Sequence, residues 1–267
     1  MHEPAPRAEV ATGTAPMVEY EQPLTERMRT FLRLEFLYQQ AVFHGEDVSD
    51  WGSRAAVMSL LDILAILARG DLRSEALKEL ERHAEGLRRY QRQPGVDLGR
   101  LTSLLHTVEE LRDGLNASGS NFVQQLRESE FLSAIKHRSA IPGGTCVFDL
   151  PDYTYWLSRG EDERQAQLED WLAILRPLCD AVTEILWLTR ESARPSRQLA
   201  AGGMYQQALE RNQTPNLIRV LMPRDVDLYP EISGGQHRFT VRFLRWSGTG
   251  QRARQTDEDI EFLLALC

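Results

Sequence analysis

From Pro23 to about Arg138, apolar residues recur at three- and four-residue spacing, which predicts a run of amphipathic helices. Leu24, Met28 and Leu32 share one stripe, and Pro23 stands near a first helical position, where its missing N–H costs nothing. A second helix is expected over Asp50 to Arg69, apolar on most of its surface, and a third over Asp71 to Arg92, closed by Pro94-Gly95. Asp97 to Asn116 repeats the pattern through Leu101, Leu104, Leu105, Val108 and Leu111, and Asn121 to His137 predicts a fifth helix. Together these make a bundle of about five helices, without the sustained heptads of a coiled coil.

The grammar changes at Ile141-Pro142-Gly143-Gly144, which is read as a domain boundary, with a short β-prone run over Cys146 to Leu150. A long helix is expected over Glu161 to Glu191, striped by Leu168, Leu172, Leu175, Cys179, Val182 and Leu186 and kinked at Pro177; it can cover one face of a sheet. Strand-like composition follows in Asn216 to Met222, Gln236 to Trp246 and Asp259 to Cys267. The run HRFTVRF alternates most clearly: Phe239, Val241 and Phe243 point one way, and Arg238, Thr240 and Arg242 the other. The fold class is therefore α+β. Residues 1–20 read as a disordered tail, 21–140 as an α-helical domain, and 141–267 as a β-strand-rich domain containing the long helix.

Composition narrows the classes. With 267 residues and 42% hydrophobic content the chain can bury a core, yet no apolar run is long enough to span a bilayer, so a soluble protein is expected. The first twenty residues lack the apolar stretch of a secretory signal. Cys146, Cys179 and Cys267 show no CxxC spacing and an odd count, which fits a reducing cytoplasm better than a disulfide framework or a zinc cluster. The net charge of -8 repels nucleic acid unless basic residues gather on one face.

No GxSxG, HExxH or Walker A run is present, and Gly143-Gly144 lacks the Lys-Ser/Thr of a phosphate loop. A cysteine nucleophile beside His137 or His237 stays open, although Cys179 on an apolar stripe and Cys146 in a β-prone run suit small buried hydrophobes. The arginines say more. Arg29 and Arg33 stand side by side at i,i+4, either as an anion-binding face or as a solvated face paired with Glu26 or Glu35. Arg238 and Arg242 project from one strand face about 13 Å apart. With Arg219, Arg245, Arg252 and Arg254 they form a basic cluster in an acidic chain, whose ligand is an acidic peptide, a nucleic acid or carboxylates of the chain itself.

Three stretches, PLTERMRTFLRLEFL at Pro23 to Leu37, IPGGTCVFDLP at Ile141 to Pro151 and LYPEISGGQHRFTVRF at Leu228 to Phe243, resemble the ZapD family of cell division proteins, supported by the run from Leu60 to Arg82. The resemblance covers the chain from about Glu21 to Cys267. It implies a helical domain joined to a strand-rich domain, a symmetric homodimer in the cytoplasm at the mid-cell division site, and no catalysis, cofactor or metal. It also implies binding to the C-terminal tail of FtsZ, the bacterial tubulin homologue, so that a dimer bundles filaments and stabilises the Z-ring. The family's basic pocket between the two domains maps onto Arg29 and Arg33 on the first helix, Arg127 in QQLRE, and Arg238 and Arg242 on the strand. This chain departs from the family at Glu130, where a basic residue can stand, and at Thr154, where a histidine can stand. The alternative from another class is a nucleic-acid-binding protein using the same arginines.

Overall fold

The computed structural model describes residues 16–91, 93–209, 215–235 and 237–267. Among them the order of elements is β1 (Met17–Pro23), α1 (Glu26–Gly45), α2 (Asp50–Leu67), α3 (Leu72–Tyr90), α4 (Leu98–Ala117), α5 (Gln124–Arg127), α6 (Glu130–Ser139), α7 (Pro151–Leu157) and α8 (Glu161–Glu191). Then come β2 (Ser196–Ala200), β3 (Met204–Ala208), β4 (Leu217–Pro223), β5 (Leu228–Gly234), β6 (Arg238–Arg245), β7 (Arg254–Gln255) and β8 (Ile260–Leu266). The chain is α+β: strand β1, then the helices, then the remaining strands of the antiparallel region.

The described residues divide into two units, one spanning Glu26–Arg190, the other combining residues 16–25 with Glu191–Cys267. This corrects the boundary at residues 140/141. The whole of α8 up to Arg190 lies in the helical unit, with its stripe of Leu168, Leu172, Leu175, Cys179, Val182 and Leu186 buried. The segment 146–150 forms turns instead of a strand, and the predicted fifth helix splits into α5 and α6. Ser129 causes that split by capping α6, its side chain accepting from the Leu132 amide at 3.3 Å.

In the helical unit, side-chain caps set where helices begin. Ser49 accepts from the Gly52 amide, Asp71 from Ser74 and Asp97 from Arg100, at 3.0, 3.0 and 3.1 Å. The buried face of α1 is Met28, Phe31, Leu34 and Ala41, not the Leu24–Leu32 stripe, since Leu24 precedes the helix. α1 packs on α2 and α3 on α4. A bidentate ion pair from Arg190 to Glu35, at 2.8 and 2.7 Å, ties α8 to α1. Arg164 of α8 is buried and donates to the carbonyls of Val48 (2.6 Å), Leu157 (2.9 Å) and Arg159 (2.6 Å) and to Ser53 Oγ (3.3 Å). Burying a guanidinium is tolerable only with its donors satisfied, as here.

The strand unit is two antiparallel sheets, ordered β1-β4-β8-β2 and β3-β6-β5, with β7 pairing on β6. Their inner faces share one core, in which Phe239, Val241 and Phe243 of β6 meet Ile218, Val220 and Met222 of β4 and Ile260, Phe262 and Leu264 of β8. The rings of Phe243 and Phe262 lie 5.0 Å apart. The alternation read in HRFTVRF is thus the inner and outer face of β6. Residues 17–20, expected as tail, are instead the first four of the seven residues of β1, where Val18, Tyr20 and Gln22 pair with Met222, Val220 and Ile218; residues 1–15 lie outside the described residues.

Candidate partner-binding site

Strand β6 positions the two arginines of the strand unit. Arg238, Thr240 and Arg242 occupy its outer face, opposite Ala208, Gln206 and Met204 of β3 and, for Thr240 and Arg242, opposite Ser233 and Glu231 of β5. Arg242 forms an ion pair with that Glu231. Arg238 is exposed, faces Ala208, and makes no ion pair among the described residues. Beside it lies a shallow concavity of about 430 Å³, lined by Gln206, Ser233, His237, Arg238 and Thr240 together with Gly234 and Gly235. Its polar lining holds donors, hydroxyls and one guanidinium but no carboxylate, a chemistry suited to an anionic group.

In the helical unit Arg29 and Arg33 share one face of α1. Arg29 pairs with Glu26 one turn earlier, whereas Arg33 is exposed and makes no ion pair among the described residues. Glu35, the other expected partner, is taken by Arg190. Arg127 at the end of α5 donates through Nη2 to the Leu67 carbonyl at 2.7 Å, closing the last turn of α2. Its side chain therefore has a structural role that the spacing of QQLRE did not reveal.

The wider basic cluster is only partly neutralised within the chain, since Arg252 and Arg254, like Arg238, make no ion pair among the described residues. Arg219 sits on the other sheet, 13% exposed, and pairs with Glu19 and, at 3.9 Å, with Glu21. Arg245 pairs with Glu258 at 2.9 Å. Sequence reading missed Glu231 because β5 was not predicted; the alternation of LYPEIS was its signal, masked by Pro230, which is tolerated at an edge strand.

The cysteines do not favour catalysis. Burial pushes the Cys179 thiol well above its usual range, with Asp180 adding to the effect, and burial likewise raises Cys267 against the opposing Arg219 guanidinium. Cys146 donates its thiol hydrogen bond to Asp149 at 3.4 Å. Among the described residues no group of His, Cys, Asp and Glu is arranged to hold a metal ion, and no helix is long and apolar enough to cross a membrane.

Residues 32–242 match the family model ZapD, described as a cell division protein. The chain belongs to the ZapD family of cell division proteins. It is similar to cell division protein ZapD of Methylococcus capsulatus, 39% identical over 250 residues that cover 94% of this chain and 98% of the relative. It is also similar to the ZapD proteins of Aromatoleum aromaticum (38% over 253 residues, 94% and 98% covered) and Azoarcus sp. (34% over 251 residues, 94% and 99% covered). The family match runs from α1 through both units to Arg242, enclosing Arg33, Arg127, Arg238 and Arg242, while Arg29 lies just before it.

Proposed function

We propose that the chain binds the C-terminal tail of FtsZ through its arginine faces and, as a homodimer, cross-links and bundles FtsZ filaments to stabilise the Z-ring at mid-cell in the cytoplasm. The activity is binding, with no catalytic step. The observation that carries this reading is Arg238, exposed beside a carboxylate-free concavity in a chain of net charge -8. Arg242, and on the helical unit Arg29 and Arg33, supply further guanidinium groups, of which Arg33 is exposed without an ion pair among the described residues. Arg127 contributes by holding the end of α2. A dimer carries two such sites, and engagement of the first raises the effective concentration for the second.

The test is binding of a labelled FtsZ C-terminal peptide to the full chain at low and moderate salt. Wild type is expected to bind with an affinity that falls as salt rises, and Arg238→Ala/Arg242→Ala and Arg29→Ala/Arg33→Ala each to weaken it with unchanged circular dichroism. A wild-type protein that ignored the peptide, or variants that bound it undiminished, would overturn this reading.

A further inference from the structure

A strand at the edge of a sheet presents unpaired backbone groups, and proteins guard such edges with charged residues or proline. Among the described residues the two sheets end in β1 and β2 and in β3 and β5. β1 carries Glu19, Glu21 and Pro23, β2 carries Arg197, and β5 carries Pro230 and Glu231. β3, with the sequence MYQQA, carries neither a charge nor a proline.

The ladder fixes which groups of β3 face outward. The Phe243 amide donates to the Gly203 carbonyl at 2.9 Å, and the Leu209 amide donates to the His237 carbonyl at 2.8 Å. Hydrogen-bonded and non-hydrogen-bonded pairs alternate between those two ends, so Tyr205, opposite Val241, and Gln207, opposite Phe239, direct their N–H and C=O at β6. The N–H and C=O of Gln206 and Ala208 therefore point the other way, where β3 has no neighbour among the described strands.

The side chains above this edge set the charge of what can meet it. Met204, Gln206 and Ala208 share the outer face with Arg242, Thr240 and Arg238, their partners on β6. Arg238 makes no ion pair among the described residues, and the residue between it and the open edge is Ala208, a single methyl group. A strand added beside β3 would run about 10 Å from β6, two strand spacings, a gap that a guanidinium and a carboxylate side chain close by meeting over Ala208. The concavity lined by Gln206, Ser233, Arg238 and Thr240 opens there without a carboxylate of its own. At the opposite edge of the same sheet, Glu231 repels an anion and Pro230 has no N–H to offer.

We propose that β3 takes up its partner by strand addition: an extended acidic peptide pairs its backbone with Gln206 and Ala208 and sets a carboxylate against Arg238. The inference rests on the tail-peptide reading above and deepens it, giving that peptide a conformation and a source of affinity besides charge. Main-chain hydrogen bonds hold the added strand, and its alternate side chains carry specificity.

The test uses the full chain and labelled FtsZ C-terminal peptides of one sequence, either unmodified or N-methylated at alternate amides in one phase or the other. Methylation leaves every side chain and charge in place. One phase is expected to bind about tenfold or more weakly than the other, because only one set of amides faces β3. Gln206→Pro removes an edge N–H and no bond to β6, and is expected to weaken the unmodified peptide about tenfold relative to Gln206→Ala, with unchanged circular dichroism. Should that variant fail to fold, the two methylated peptides decide alone. Equal binding of both phases would overturn strand addition and leave recognition by the arginines standing. A wild type that ignored the unmodified peptide would overturn the tail-peptide reading and this inference with it. Sedimentation of Gln206→Pro covers the other occupant: lost self-association with undiminished peptide binding would assign the edge to a second copy and overturn the proposal.

Discussion

The guanidinium of Arg127 donates to the carbonyl oxygen of Leu67 at 2.7 Å, joining α5 to the C-terminal end of α2 across sixty positions of sequence. Arg127→Ala is expected to destabilise the chain by about 1.5–3 kcal/mol, the usual worth of one hydrogen bond with a charged donor. Urea unfolding checks this, and an unchanged midpoint would show that the bond is not formed in solution.

Arg164 serves several carbonyls at once and lies 3.5 Å from Asp50 in an ion pair. Arg164→Met is expected to cost roughly 3 kcal/mol or more, because it strands the carbonyls of Val48, Leu157 and Arg159. Arg164→Lys should recover only part, since an ammonium cannot reproduce the planar fork. Chemical denaturation of the two variants side by side gives the comparison.

Glu231 holds Arg242 in a cross-strand ion pair, so an incoming anion must compete with it. Glu231→Gln is expected to tighten FtsZ tail-peptide binding a few-fold and to steepen its salt dependence, as removing the internal carboxylate frees one guanidinium. Fluorescence anisotropy at two salt concentrations reads both. Weaker binding in this variant would mean that Glu231 orients Arg242 for the peptide.

His83 on α3 is pushed down to about 4, first by burial and then by the Arg82 guanidinium, against the opposing pull of Glu79. Arg82 Nη2 lies 3.1 Å from His83 Nε2, a contact suited to the neutral ring acting as acceptor. With the folded value below the ordinary 6.5, the unfolded chain takes up the proton first as pH falls. This contribution to stability is complete above about pH 6.5 and is lost between there and about pH 4. His83→Gln should flatten the melting temperature against pH within that window.

Phe243 is fully buried between the sheets, against Phe262. Phe243→Ala is expected to destabilise the strand unit by about 3–5 kcal/mol through lost burial and the cavity left behind. Thermal unfolding followed by near-ultraviolet circular dichroism measures it.

Much of the helical unit is legible along the chain because helices are made of near neighbours. The expected Glu161 to Glu191 span coincides with α8, and the caps Ser49, Asp71 and Asp97 lie at or beside the predicted starts of α2, α3 and α4. Phe239, Val241 and Phe243 declared the buried face of β6 through strict alternation. Strands β1, β2, β3 and β5 carry weaker patterns, since Glu19, Gln206 and Pro230 acquire strand character only from the partner across the ladder.

By itself the sequence determined the α+β class, the alternating faces of β6, and the arginines able to stand side by side at Arg29 and Arg33 or share a face at Arg238 and Arg242. The tertiary structure alone decided which of the chain's arginines meet an acid, and which acid. Arg242 and Arg219 find Glu231 and Glu19 across strand ladders, Arg190 reaches Glu35 across helices, and Arg127 turns to a backbone carbonyl. Charge pairing depends on distances of a few ångströms between residues far apart in the chain, and no local period encodes those distances.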